Sequence, residues 1–231
     1  MSKNLSVIGL GKLGLSFALV LNEKGFNVKA FDINTSIIKA IKANKAPYKE
    51  TGLQELLNNS KKIEIVNSEL EIINQTDTTF IVLPTPSKSN GEFSNKYLEL
   101  SLKKCAEALK NKKNYHLFSI ISTVTPSACE GVLIPLIEKI SGKRVGKDFG
   151  FCYNPSFIAL GDVINNITKP AFVLLGKSDT KAGEEIEKIY KKIIINKSSI
   201  QKMNIISAEI TKISLNAFVT MKISFANFIG L

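Results

Sequence analysis

The 231-residue sequence has little of what marks several common classes of protein. Its three cysteines, Cys105, Cys129 and Cys152, have neither the spacing of a metal site nor the density of a secreted disulfide scaffold. We therefore expect free thiols in a reducing, cytoplasmic setting and no bound metal. No stretch approaches the ~20 uninterrupted apolar residues of a membrane span. Lys12 interrupts the apolar start, so we also expect no secretory signal peptide.

Arginine is almost absent from the chain. The 31 basic residues comprise Arg144 and 30 scattered lysines, and the formal net charge is +11. Surfaces that bind nucleic acid rely on arginine and on interleaved aromatic residues, and this sequence shows neither pattern. We therefore predict no nucleic-acid partner and no membrane partner, and we attribute the charge to a compositional bias toward lysine and asparagine.

A glycine-rich motif follows the first apolar strand. The strand Ser6-Val7-Ile8 runs into Gly9-Leu10-Gly11-Lys12-Leu13-Gly14, and an apolar stretch of helical character comes next. A second strand, 27–31, leads to Asp32, which lies 21 residues after Gly11. Strand, glycine turn, helix, strand and acid in this order are the context that a dinucleotide-binding motif requires. The sequence therefore predicts an NAD site; the alternative is a glycine-rich turn in an unrelated α/β protein.

The residues of this motif have distinct physical tasks. Gly9 permits the tight turn, Gly11 lets the backbone approach a pyrophosphate, and Gly14 allows the helix to pack closely on the strand. The N–H groups at the start of the helix, from Lys12 onward, meet the phosphate charge. Asp32 accepts hydrogen bonds from the ribose hydroxyls and repels a 2′-phosphate, which favours NAD over NADP.

Strands and helices alternate along most of the chain. This pattern predicts an α/β fold with a doubly wound, mostly parallel Rossmann-type sheet, followed by a long C-terminal helix. After the first unit, the predicted strands are 63–66, 78–83, 116–122, 149–153 and 172–176. The predicted helices are 35–43, 52–58, 70–74, 96–111, one that begins at Ser127, and 184–193.

Several polar or proline-rich segments follow predicted strands. They are Pro84-Thr85-Pro86, Thr123 and Asn154-Pro155. Ligands of open parallel sheets bind beyond the carboxyl ends of the strands. We therefore expect these segments to form one site with the glycine loop.

The last segment of the chain has helical periodicity. Apolar residues from Ser207 onward recur at three- and four-residue steps and predict a helix that continues to the end of the sequence. Ser207 is the expected N-cap, and Glu209 suits the positive end of the helix dipole. Lys212 and Asn216, four residues apart, share one face of this helix.

This helix divides the chain into two expected parts. Residues 1–203 form the NAD-binding domain, and 204–231 form a long helix. The apolar side of such a helix needs a cover, because a large exposed apolar patch favours association. We expect a homodimer through this helix, or pairing with a separate C-terminal half.

The ordered set of motifs resembles the N-terminal half of the UDP-glucose/GDP-mannose dehydrogenase family, and the resemblance covers essentially the whole chain. The matching residues are Gly9–Gly14, Asp32, Ala46-Pro47, Glu50, Gly52-Leu53, Pro84-Thr85-Pro86, Gly91, Ser122-Thr123-Val124, Asn154-Pro155, Phe157, Ala208-Glu209, Lys212, Asn216-Ala217-Phe218, Lys222–Phe225 and Asn227. The resemblance implies NAD-dependent oxidation of the C6 alcohol of a nucleotide sugar, in the first place a UDP-sugar, to a carboxylate. In the family a cysteine holds the aldehyde as a thiohemiacetal, which is oxidised to a thioester and hydrolysed.

The resemblance also implies roles for individual residues. Leu13 and its neighbours offer backbone N–H groups to the pyrophosphate, and Asp32 binds the ribose. Pro84, Thr85 and Thr123 line the cofactor site.

Three residues are implied to be catalytic. Thr123 helps to position the water used in the reaction, and Lys212 and Asn216 stabilise the oxyanion that develops at C6. Each has a simpler interpretation: Thr123 as the cap of the helix that begins near Pro126, and Lys212 with Asn216 as a solvated helix face.

The sequence departs from the family pattern in two ways. The nucleophilic cysteine of the family lies well after the long helix, and none of the three cysteines here occupies a matching position; Cys152 lies in a predicted strand. The carboxylates that follow Asn-Pro are replaced by Ser156 and Leu160, and serine is no general base at neutral pH. His116 is interpreted as structural, since it begins a predicted core strand. We therefore expect the chain alone to be inactive or impaired.

Two other functions stay open at this point. One is a hydroxy-acid dehydrogenase of the 6-phosphogluconate or 3-hydroxyisobutyrate type, which shares a glycine loop and a helical lysine with asparagine four residues later, and needs no cysteine. The other is a non-catalytic module for NAD binding or dimerisation, which the departures at Ser156 and at the cysteine position favour.

Overall fold

Strands and helices alternate in the computed structural model, which describes residues 4–60, 63–158 and 161–230. The strands are β1 (Asn4–Ile8), β2 (Asn27–Phe31), β3 (Glu64–Ile65), β4 (Thr78–Ile81), β5 (His116–Ile120), β6 (Phe149–Tyr153), β7 (Phe172–Lys177) and β8 (Ser199–Met203). The helices are α1 (Lys12–Glu23), α2 (Thr35–Lys42), α3 (Leu53–Asn59), α4 (Glu69–Gln75), α5 (Lys96–Leu109), α6 (Ile134–Ser141), α7 (Val163–Thr168), α8 (Thr180–Ile193) and α9 (Ile205–Ile229). A π-helical segment, Cys129–Leu133, runs directly into α6.

The described strands form one sheet in the order β3-β2-β1-β4-β5-β6-β7-β8. Neighbouring strands are parallel except β6 and β7, which are antiparallel. The predicted α/β fold with a mostly parallel sheet and a long C-terminal helix is confirmed.

The central strands are buried because helices cover both faces of the sheet. Alternate strand residues enter opposite cores: Leu117 packs into the core that contains Leu15 of α1 and Ile186 of α8, whereas Phe118 packs into the core that contains Leu102 of α5 and Ile205 of α9. Strands buried on both faces read as nearly continuous apolar runs, which is why β4, β5 and β6 were predictable from sequence.

The strand order reverses between β1 and β4. From β1 the chain builds outward to β2 and β3 on one side, and then returns to β4, β5 and β6 on the other. Such a reversal opens a crevice at the carboxyl ends of the two strands, where doubly wound folds bind their ligands. The loops that follow β1 and β4 are the glycine motif and the Pro84–Pro86 segment.

Two elements were absent from the sequence prediction. β8 lies at the edge of the sheet, and most of its residues are exposed, so it carries no buried apolar run. α7 has six residues, three of which are Asn or Thr. Neither pattern differs from that of a polar loop.

Two predicted helix starts are wrong. Ser127 does not begin a helix: its φ is +70°, in the left-handed region, and helical structure begins at Cys129. The N-cap of α9 is Asn204 rather than Ser207, because the Asn204 side chain accepts a hydrogen bond from the Ser207 N–H at 2.9 Å. No helix among the described residues has the length and apolar character needed to cross a bilayer.

Candidate cofactor site at the carboxyl edge of the sheet

The glycine loop between β1 and α1 is tightly packed on one side and open on the other. A Cβ on Gly9, whose φ is +92°, would lie 2.2 Å from the Val82 carbonyl oxygen, and a Cβ on Gly14 would lie 1.9 Å from the Gly9 carbonyl oxygen. A Cβ on Gly11 would meet no atom within 4 Å. Gly9 and Gly14 therefore serve the packing of the loop, while Gly11 borders open space that suits a pyrophosphate.

The amino end of α1 is left without a side-chain cap. Its N-cap is Gly11, and its first turn contains no acidic residue. By contrast, the Asn34 side chain caps α2 and the Asp179 side chain caps α8. The backbone N–H groups at Lys12 and Leu13 are thus available to an anion, with the positive end of the helix dipole behind them. These features fit the diphosphate of NAD.

Asp32 lies directly after β2 and is held against the glycine loop. Its Oδ2 accepts a hydrogen bond from the Leu10 N–H at 2.6 Å, and its Oδ1 accepts one from the Asn34 N–H at 2.7 Å. An ionised carboxylate has about four acceptor positions, so two stay available to ribose hydroxyls. Tyr48, which the sequence did not indicate, is also part of this region: burial and then the negative charge of Asp32 raise the pKa of its phenol.

The loops after β4 and β5 are joined by the side chain of Ser122, for which the sequence indicated no separate role. The Ser122 Oγ accepts a hydrogen bond from the Leu83 N–H at 2.8 Å and donates one to the Leu83 carbonyl oxygen at 2.7 Å. Pro84 and Thr85 follow Leu83, and Thr123 follows Ser122. This reciprocal pair therefore brings the two predicted cofactor loops together.

Thr123 is partly buried and does not cap a helix. The N-cap of the π-helical segment is Ala128, and the Thr123 side chain makes no capping hydrogen bond there. The interpretation of Thr123 as a helix cap is therefore wrong.

The Asn154-Pro155 turn after β6 is fixed by both polar ends of the Asn154 side chain. Its Nδ2 donates to the Leu174 carbonyl oxygen at 3.0 Å, and its Oδ1 accepts from the Tyr190 hydroxyl at 2.6 Å. A small cavity of about 40 Å³ lies behind this turn, and its lining includes Ser156 and also Leu13 of α1. The turn after β6 thus meets the start of the first helix. Leu160 lies outside the described residues.

Lys212 on α9 is buried against this same turn. Lys212 is only 7% exposed. Its Nζ donates to the Ser156 carbonyl oxygen at 2.8 Å and to the Asn216 Oδ1 at 3.3 Å. The ammonium also lies 4.6 Å from the centre of the Phe157 ring. Burial lowers the pKa of Lys212, and no carboxylate of the described residues forms an ion pair with it. The solvated-face interpretation is wrong for Lys212, whereas Asn216 is exposed.

The three cysteines are all buried and free. Burial raises the pKa of each thiol, and the Glu209 carboxylate adds to this effect at Cys129. The thiolate is the nucleophilic form, so none of these side chains is an activated nucleophile. Cys152 lies in β6, as predicted.

Histidine contributes to the core rather than to this edge. His116 is fully buried, its Nε2 lies 2.9 Å from the Thr79 Oγ1, and its Nδ1 lies 3.1 Å from the Thr76 carbonyl oxygen. Burial lowers its pKa well below the usual value of histidine. Within residues 4–60, 63–158 and 161–230, no group of three or more His, Cys, Asp or Glu side chains is arranged to hold a metal ion.

Comparison with known proteins places this geometry in a family. Residues 3–194 match the profile of the UDP-glucose/GDP-mannose dehydrogenase family, NAD binding domain. The chain is 32% identical over 229 residues to the GDP-mannose 6-dehydrogenase of Pseudomonas savastanoi pv. phaseolicola. This match covers 98% of the present chain and 52% of that enzyme. It is also 32% identical over 226 residues to the UDP-glucose 6-dehydrogenase of Haloferax volcanii, and this match covers 96% of the present chain and 53% of that enzyme.

Solved structures agree with the sequence matches. A GDP-mannose dehydrogenase from Pseudomonas aeruginosa, solved as a ternary complex, superimposes with a TM-score of 0.92 at 31% identity, covering 96% of this chain and 51% of that one. A UDP-glucose dehydrogenase from Pyrobaculum islandicum gives a TM-score of 0.92 at 29% identity, covering 100% and 53%. The chain spans about half the length of the relatives it matches. It belongs to the UDP-glucose/GDP-mannose dehydrogenase family, and residues 3–194 are its NAD-binding domain.

Proposed function

We propose that this chain provides the NAD-binding and oxyanion-stabilising half of a nucleotide-sugar 6-dehydrogenase. The observation that carries the proposal is the contact of Lys212, a buried cation with no carboxylate partner in the described part of the chain, with the 154–157 loop that meets the start of α1. A buried cation that has no counter-charge among the described residues is suited to a substrate that develops negative charge during the reaction.

When bound, NAD would supply the acceptor for the hydride. The protein holds it by the free N–H groups at the start of α1 and by the Asp32 carboxylate, with Pro84, Thr85 and Thr123 along the two loops that Ser122 joins. The binding energy of the adenosine and diphosphate portions then orients the reactive ring.

Lys212 and Asn216 act together on the substrate oxygen at C6. The Asn216 Oδ1 faces the Lys212 ammonium, so the Asn216 Nδ2 is the group free to donate to a substrate oxygen. Since the ammonium has three N–H donors and two serve Ser156 and Asn216, one remains for the oxyanion. Thr123 supplies a hydroxyl that orients the water of the later hydrolysis step.

We further propose that these residues alone do not complete the oxidation to a carboxylate. The thiols of the chain are buried and protonated, and Ser156 replaces the carboxylate that serves hydrolysis in the family. A histidine that could activate Ser156 is not at hand, because His116 is buried at the amino end of β5. The same observations favour the second candidate, a non-catalytic NAD-binding module.

The division into a 1–203 domain and a 204–231 helix completes the proposal, with α9 as the interface. Six large apolar residues in the second part of α9 are each more than half exposed: Phe218, Met221, Ile223, Phe225, Phe228 and Ile229. Exposed apolar surface of this kind marks an association site. We assign it to a second copy of the chain, or to a separate C-terminal half.

Calorimetric titration with NAD tests the cofactor proposal. We expect a Kd in the micromolar range, and we expect Asp32→Ala to weaken binding at least about tenfold, since hydrogen bonds to an ionised group are strong. Asp148→Ala is the matched control, because the Asp148 carboxylate also accepts a backbone N–H, that of Arg144 at 2.9 Å, but lies away from the glycine loop. Equal affinities for wild type and Asp32→Ala would remove Asp32 from the site.

NADH formation separates the two candidate functions. The chain is supplied with UDP-glucose or GDP-mannose and NAD, alone and with the C-terminal half of a relative in trans. We expect no turnover alone and turnover with the added half, and the preferred nucleotide then identifies the substrate class. NAD binding without turnover in either mixture would establish the non-catalytic module.

A further inference from the structure

Glu209 is a fully buried carboxylate whose partners lie on a distant part of the chain. It is 0% exposed, and it lies in the first part of α9, three residues before Lys212. Its Oε2 accepts a hydrogen bond from the Ser127 N–H at 2.6 Å, and its Oε1 accepts one from the Cys129 N–H at 2.8 Å. The sequence predicted that Glu209 serves the dipole of its own helix, and this prediction is wrong: the carboxylate binds the amino end of the π-helical segment instead.

The segment that Glu209 holds is the one that carries Thr123. Between β5 and the π-helical segment the chain passes through Thr123, Val124 and Ser127. Ser127 has a φ of +70°, a conformation that costs free energy for a residue with a Cβ. A loop with such a residue keeps one conformation only where its surroundings hold it, and the two hydrogen bonds to Glu209 provide that restraint.

The same turn of α9 also holds the opposite loop of the site. Lys212, three residues after Glu209, donates to the Ser156 carbonyl oxygen. The helix itself is seated closely on β7, since a Cβ on Gly176 would lie 2.8 Å from the Ala208 Cβ. A rigid helix therefore contacts the loop after β5 through Glu209 and the loop after β6 through Lys212, so the distance between these loops depends on both side chains.

We propose that Glu209 is a positioning residue that holds Thr123 in place for the cofactor. It does not touch the cofactor or the substrate, and it acts through the backbone of the 123–129 segment. This inference rests on the proposed function, because it takes Thr123 as part of the NAD site. A purely structural role predicts a different outcome: loss of Glu209 would lower stability and leave the NAD affinity of the folded protein unchanged.

A double-mutant cycle between Glu209 and Thr123 distinguishes these roles. NAD affinity is measured by calorimetry on the full chain, at a temperature well below the unfolding midpoint of every variant. Glu209→Gln keeps the shape of the side chain but replaces one acceptor oxygen by a donor that opposes a backbone N–H. Glu69→Gln is the matched control, since Glu69 is a buried carboxylate on α4, 4% exposed, with Lys104 as its ion-pair partner at 3.5 Å.

We expect the two substitutions to lower NAD affinity through the same contact, so that their effects do not add. We expect Thr123→Ala and Glu209→Gln each to weaken NAD binding about fivefold, and the double variant to be no weaker than the weaker single variant. Glu69→Gln should lower the unfolding midpoint and leave the affinity at the wild-type value. If Glu209→Gln does not fold, Glu209→Asp takes its place in the same cycle, because the shorter side chain keeps the charge but does not span both N–H groups.

Each contrary result has a separate meaning. Wild-type affinity in the folded Glu209 variant, or losses that add in the double variant, would overturn the positioning role while the NAD site stands. Wild-type affinity in Thr123→Ala would overturn it as well, because Glu209 would then have no cofactor contact to position. Failure of the wild-type chain to bind NAD would instead overturn the proposed function.

Discussion

The two parts of α9 reverse the usual relation between polarity and burial. Its first part buries Ile205, Ala208, Glu209 and Lys212, and two of these four residues are charged. From Asn216 to Gly230 every residue is exposed, although phenylalanine, isoleucine and methionine predominate among the large side chains. Buried charges require partners, and exposed apolar patches require a cover. The proposed function therefore assigns the first part of the helix to the site and the second part to association.

Replacing one isoleucine in each part of α9 should give the largest difference in the free energy of unfolding. Ile205→Ala removes a side chain that is 1% exposed and packed in the core, and should lower the free energy of unfolding by about 2–5 kcal/mol. Ile223→Ala, at a position 56% exposed, should change it by less than about 0.5 kcal/mol at protein concentrations where the chain is monomeric. Urea denaturation measures both. Equal losses at low concentration would mean that the second part of α9 packs against its own chain.

A charge in the exposed part should break association without unfolding the domain. Phe225→Asp places a carboxylate in the centre of the apolar surface and should weaken self-association by more than about 2 kcal/mol, or about thirtyfold in Kd, as at other interface hot spots. Sedimentation equilibrium measures the dissociation constant. Leu70→Asp is the control, because Leu70 is also about half exposed but lies on α4. Dissociation by both variants, or by neither, would place the interface elsewhere.

Removal of the buried charge at Lys212 should stabilise the fold while it damages the site. Lys212→Met keeps the apolar stem near Phe157 and eliminates a cation that has no carboxylate partner within residues 4–60, 63–158 and 161–230, so the free energy of unfolding should rise by about 1–3 kcal/mol. Turnover with a complementing C-terminal half should fall, since the oxyanion loses its positive charge. A destabilised Met variant would show that the two hydrogen bonds of Lys212 outweigh its desolvation.

The same variant has a defined pH dependence. The pKa of Lys212 in the folded chain is lower than 10.5, so between that lowered pKa and 10.5 the unfolded chain binds more protons than the folded chain. Wild-type stability at this residue therefore rises with pH across that window. The advantage of Lys212→Met should be greatest below the lowered pKa and should shrink toward pH 10.5, which urea denaturation at a series of pH values measures against wild type.

Sequence patterns over a few neighbouring residues were sufficient to predict the glycine loop, but they were insufficient to predict the contacts of α9. Gly9 and Gly14 are required by the geometry of a strand-to-helix turn that spans a few residues, so the sequence predicted them together with the fold class. The burial of Lys212 depends on the seating of α9 on β7, which requires a glycine at position 176. Glu209 finds its partners 80 and 82 residues earlier in the chain. No periodicity within the helix carries information about either contact.

The smallest predicted effect concerns the start of α9, where the sequence pattern indicated the wrong cap. Asn204→Ala removes the acceptor for the Ser207 N–H and should lower the free energy of unfolding by about 1 kcal/mol. Ser207→Ala should change it by less than about 0.5 kcal/mol, because the Ser207 side chain lies within the first turn and its backbone makes the capping contact. Thermal and urea denaturation of the two variants measure the difference. The cap precedes Glu209 by five residues and Lys212 by eight. A loss of NAD affinity in Asn204→Ala would therefore extend the positioning role to the helix start, whereas a larger loss of stability in Ser207→Ala would contradict the observed cap.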